Sequence, residues 1–116
     1  MLLVKSLATM TGLASAAGVM WNSVDPSSYS NFEEANTEHV HFDLSVDWAN
    51  KKLDGFADHS MMSHIDALTH VFFDMEGIDI QNVYFRLLPT DAWAACTVNQ
   101  GSPEPGLGSF LDVTLP

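Results

Sequence analysis

With 116 residues, 47% of them apolar and only 16% charged, the chain has material for one small core and too little for a second, and its composition is that of a folded segment. Fifteen carboxylates against four basic side chains, Lys5, Lys51, Lys52 and Arg86, give a formal charge of −11, which repels phosphate backbones and anionic bilayers and so argues against nucleic-acid binding and electrostatic membrane docking. The single cysteine, Cys96, allows neither an internal disulfide nor a thiolate zinc site, and no run of about 18 apolar residues is present to span a bilayer.

Residues 1–20 carry one charge, Lys5, and a mildly apolar run with Ala14-Ser15-Ala16 as a small-residue cleavage site. Because Ser6, Thr9, Thr11 and Gly12 interrupt the run, the segment reads either as a secretory signal or as an N-terminal extension. The compartment follows that choice: secreted or periplasmic with a signal, cytoplasmic without one. Residues 21–37 form a polar lead-in, with a turn at Asp25-Pro26-Ser27-Ser28, and are expected to run extended over the surface.

The β-domain is expected over residues 38–116. Between Glu38 and Trp48 the apolar residues Val40, Phe42, Leu44, Val46 and Trp48 alternate with His39, His41, Asp43, Ser45 and Asp47, so one face of a strand is apolar and the other hydrated. This predicts a half-buried strand with Phe42 and Trp48 in the core. Ala49-Asn50-Lys51-Lys52 is a connection of hairpin length, and Leu53 to Met62 then predicts an antiparallel partner, with Gly55 leaving room for twist or a large neighbour.

After a loop at Ser63–Asp66, the continuous run His70-Val71-Phe72-Phe73 predicts a central strand buried on both faces. Ile78, Ile80, Val83 and Phe85 give a fourth strand with an irregularity near Gln81-Asn82, and residues 92–98 favour a short strand over a helix. Gln100–Gly108 is a loop by its Gly and Pro content, and Phe110, Val113 and Leu115 mark a last strand. The fold class is therefore all-β, a mostly antiparallel sandwich or saddle-like sheet. The abrupt end at Pro116 suggests an incomplete domain truncated at its C-terminal side, with Trp93, Phe110 and Leu115 forming an apolar surface left open there.

The segment His39-Val-His-Phe-Asp-Leu-Ser-Val-Asp-Trp48, then Lys52-Leu53-x-Gly55, then Leu68-x-x-Val71-Phe-Phe-Asp74-x-x-x-Ile78-x-Ile80-x-x-Val83, resembles the amino-terminal β-domain of the zinc aminopeptidase family that includes leukotriene A-4 hydrolase and aminopeptidase N. The likeness runs ungapped from Thr37 to Val83; Asp25–Asn31 and Leu107-Gly-Ser-Phe-Leu-Asp-Val-Thr-Leu-Pro116 add to it. Each motif is structural, a strand or a turn, and the specificity lies in their order. The resemblance implies a saddle-like β-domain in front of a thermolysin-like catalytic domain that holds the zinc.

The chemistry of that family is absent from this chain. Its zinc site needs H-E-x-x-H, two imidazoles one helical turn apart with a glutamate general base, and none of His39, His41, His59, His64 or His70 has that spacing. The substrate-recognition Gly-x-Met-Glu-Asn motif is missing as well, so no catalytic, cofactor-binding or metal residue carries over. His39 and His41, two apart on one strand face, suit Zn²⁺ or Cu²⁺ only if His59 or Asp58 comes across from the next strand; otherwise they are polar residues facing water. Asp43, Asp47, Asp54 and Asp58 read as a solvated face rather than an acid–base pair and Cys96 as a small core side chain; Trp21, Trp48 and Trp93 are candidates for a sugar-stacking platform, although Trp48, ending the apolar face of its strand, reads as core.

Two functions remain. The first is the non-catalytic β-domain of a leukotriene A-4 hydrolase-like metallo-aminopeptidase, with the parent's catalytic domain as partner and zinc only in the parent. The second is a free-standing acidic β-sandwich that binds a protein or a carbohydrate.

Overall fold

Alternation sustained over ten residues requires a long strand, and the chain supplies two in succession. The computed structural model describes the backbone of Leu3–Leu7 and all of residues 25–116. Among the described residues there are strands and turns and no helix: β1 (Leu3–Leu7), β2 (Ala35–Asp47), β3 (Lys52–Ser63), β4 (His70–Met75), β5 (Asn82–Arg86), β6 (Ala94–Ala95), β7 (Thr97–Gln100) and β8 (Ser109–Thr114). They form a five-stranded sheet in the order β2-β3-β1-β5-β6 and a three-stranded sheet in the order β4-β8-β7. All pairings are antiparallel except those of β1, which lies parallel to both β3 and β5. β1 occupies part of the segment expected to be a leader; residues 8–20 of that segment lie outside the described residues.

The β2–β3 hairpin has the expected turn. Lys51 takes a left-handed backbone conformation (φ 55°), and the Asp47 carboxylate accepts hydrogen bonds from the backbone N–H and the side-chain amide of Asn50, at 3.0 and 2.7 Å. Gly55 stands opposite Leu44, and a Cβ there would run into the backbone carbonyl of Asp43. The close approach of two backbones, rather than a large neighbour, is what this glycine permits.

The two sheets face each other across a core with two buried clusters. One joins Val83 of β5 to Leu111 and Val113 of β8; the other joins Ala35 and Met61 to Leu68 and Val71. Phe73 and Leu115 pack against both clusters and make them continuous. Burying a side chain such as Leu111 stabilises by about 1.5–3 kcal/mol, so these few residues carry much of the fold.

Two expectations need correction. The run His70–Phe73 is not a central strand: β4 is an edge of the smaller sheet. On its outer face, between His70 and Asp74, Phe72 joins Phe110 and Tyr29 in an aromatic patch, with edge-on pairs at 6.4 Å (Phe72–Phe110) and 5.7 Å (Tyr29–Phe110). From Asp25 onward the lead-in is tied to the edge of β4, and residues 21–24 lie outside the described residues. Asn31 accepts from the N–H of Phe72 at 2.9 Å and donates to the carbonyl of His70 at 3.0 Å, so one side chain occupies the open edge of β4 as a strand would. Asp74 holds the segment further along, through the N–H of Tyr29 and the hydroxyl of Ser28, both at 2.6 Å. In β8 the buried set is Ser109, Leu111 and Val113, so Phe110 points to the opposite face from Val113.

Candidate interaction surface

The two sheets differ in length, and that difference creates the surface. β2 and β3 run for 13 and 12 residues, whereas β4, β8 and β7 run for 6, 6 and 4. At ~3.3 Å per residue the hairpin is about 40 Å long and its cover about 20 Å.

The register shows which side chains are left over. Directly opposed residues share a face, so Val40 with His59, Phe42 with Ala57, Leu44 with Gly55 and Val46 with Leu53 line the same side as the buried Met61. The face assigned from the sequence is therefore correct, but only its proximal half is covered. Ala57 and Met61 are 2% and 7% exposed, whereas Phe42, Leu44, Val46 and Leu53 are 61, 46, 50 and 64% exposed, and Trp48 at the turn is 85% exposed. The expectation that Phe42 and Trp48 lie in the core fails because nothing among the described residues reaches that far along the hairpin. The open apolar surface is this one. Trp93, Phe110 and Leu115 are each at least half-buried, and the Arg86 guanidinium lies 4.2 Å from the Trp93 ring centroid.

Charge is confined to the other side of the hairpin. His39, His41, Asp43, Ser45 and Asp47 stand opposite Ser60, Asp58, Phe56, Asp54 and Lys52 on the outward face. All four carboxylates suggested by the sequence, Asp43, Asp47, Asp54 and Asp58, lie there, and the hydrogen bonds from Asn50 hold the Asp47 carboxyl below its usual range. Asp43 and Asp54 are exposed and Asp47 and Asp58 partly exposed, whereas acid catalysis favours a carboxyl in a desolvated cleft.

The same register decides the histidines. His39 and His41 do share a face, and Asp58 lies directly across from His41, but His59 points inward and cannot join them. Among the described residues no group of three His, Cys, Asp or Glu side chains is arranged to hold a metal ion. His59 instead packs edge-on against Phe73 with ring centroids 5.0 Å apart and hydrogen-bonds the Thr37 hydroxyl at 3.2 Å. Burial pushes its pKa down, against the smaller pull of the neighbouring Asp58 carboxylate.

Cys96 packs half-buried against the Val83 cluster, and burial raises its thiol pKa, which disfavours the reactive thiolate. Trp48 and Trp93 belong to opposite edges of the five-stranded sheet, and Trp21 lies outside the described residues. One polar pair escapes sequence reading altogether: the His70 ring nitrogen Nδ1 lies 2.7 Å from an Asp112 oxygen, linking β4 to β8 on their outer face beside Phe72. The two residues are 42 apart in the chain, and only the strand register brings them together. Among the described residues no helix is long and apolar enough to cross a membrane. No family model matches the chain, and neither a curated protein nor a solved structure matches it at a significant level.

Proposed function

We propose that the chain is the non-catalytic amino-terminal β-domain of a leukotriene A-4 hydrolase-like zinc metallo-aminopeptidase, whose parent protein removes N-terminal residues from peptides. In this reading the zinc and its ligands belong to a catalytic domain, against which the β-domain packs and whose substrate channel it helps to wall. The residues that carry the resemblance lie in β2 and β3, in the stretch from Leu68 to Val83, and in Leu107–Pro116, which includes β8.

The observation that carries the proposal is the bare inner face of the hairpin. A face that is apolar along its bare half, carries no carboxylate or basic side chain there and is covered over only half its length is suited to a further layer of protein. A domain that packs against a larger partner in the same protein has that property.

Sequencing the full-length transcript tests the proposal. The same reading frame is expected to encode Gly-x-Met-Glu-Asn and H-E-x-x-H. A full-length frame with neither motif would overturn it in favour of the free-standing binding module.

A further inference from the structure

We infer that a second copy of this chain covers the bare half of the hairpin, so that the protein on its own forms a two-fold dimer through Phe42, Leu44, Val46, Leu53 and Trp48. The inference goes beyond the aminopeptidase reading: it rests on the exposed face alone and describes the chain when no catalytic domain occupies that face.

Three observations select a second copy. The first is length. The hairpin overhangs its three-stranded cover by about 20 Å at ~3.3 Å per residue. An overhang of that size, laid beside the three-stranded sheet of another copy, fills the vacant part of the same layer, and the contact is reciprocal. Stacked sheets sit about 10 Å apart, which apolar side chains from two such faces fill.

The second is charge. The chain carries −11, yet the bare face has no ionisable side chain, and Asp43, Asp47, Asp54 and Asp58 all lie on the far side of the hairpin. Face-to-face stacking leaves those carboxylates in water. Pairing along the open edge of β2 would instead leave both apolar faces bare.

The third is area. Whole aromatic side chains bury ~150–250 Å² each, so the exposed parts of these five residues offer roughly 600 Å² per copy. A pair therefore removes about 1,200 Å² at most, the lower end of specific interfaces. A weak dimer that closes at two copies is expected, because an isologous contact uses the same patch on both.

Sedimentation velocity of the 116-residue chain across a concentration series tests the inference. Monomer is expected at high dilution and dimer at high concentration, with a dissociation constant of about micromolar order. Raising the salt screens the −11 on each copy beyond about 8 Å at physiological strength, and so tightens the dimer. Leu44→Lys, and separately Val46→Lys, should weaken it at least tenfold while leaving the circular dichroism and the denaturant midpoint of the monomer unchanged. Ile78→Lys, an exposed site elsewhere, should leave the dimer intact. A monomer at every concentration would overturn the inference. So would a dimer indifferent to both lysine substitutions, a dimer that loosens with salt, or oligomers that grow without limit by edge pairing.

Discussion

His59 illustrates how one residue departs from the pattern of its strand. It sits between Ala57 and Met61 on the inner face of β3, where an apolar side chain is the rule, and it is accommodated as a neutral ring against Phe73 with the Thr37 hydroxyl as partner. Its pKa lies below the ordinary value of 6.5, chiefly because burial penalises the imidazolium. The sign of the linkage follows. Stability from the neutral ring is fully present above pH 6.5, and it is lost as the pH falls below that value, because the unfolded chain takes up a proton that the folded chain resists. His59→Leu should therefore remove part of the acid sensitivity. Denaturant midpoints at neutral and at mildly acidic pH are expected to differ less for the variant than for the parent chain. Equal differences would show that His59 is not held neutral between the sheets. Gly55 makes a complementary point, since its missing Cβ is what lets the backbones of β2 and β3 approach.

The hairpin is the element whose extent and facing were most legible from the sequence. A period of two over residues 38–48 fixes both the strand and which side chains share a face, and Asn50-Lys51 marks the turn. Alternation does not reveal how far along a strand its cover extends. The core therefore shifts from where the pattern points. Leu111→Ala should cost about 2–5 kcal/mol, whereas Phe42→Ala should cost far less in the monomer, since Phe42 is 61% exposed and Leu111 is 2% exposed. Urea unfolding of both variants below the dimerisation range checks this, and equal losses would place Phe42 in a covered core. Other elements were obscured for physical reasons of their own. β4 reads as central because an aromatic patch covers its outer face, and its true position depends on Asn31, a polar residue in a polar lead-in. In β8 the largest apolar group, Phe110, draws attention to the wrong parity, since Leu111 and Val113 are the buried pair. The split between β6 and β7 at Cys96 has no local signal; Cys96 donates its N–H to the carbonyl of Val83.

At the scale of the whole molecule, two sheets of unequal length share a small core, charge is excluded from one half-bare face, and no side-chain cluster among the described residues offers three metal ligands. Where zinc resides is the most direct test of the aminopeptidase proposal. Metal analysis and release of a fluorogenic amino acid should be measured on the 116-residue chain and on the product of the full reading frame, each with and without a chelator. On the aminopeptidase proposal, one zinc and chelator-sensitive aminopeptidase activity are expected in the full-length product, and neither in the chain alone. A full-length product without zinc or activity, or stoichiometric zinc with chelator-sensitive release in the chain alone, would contradict it.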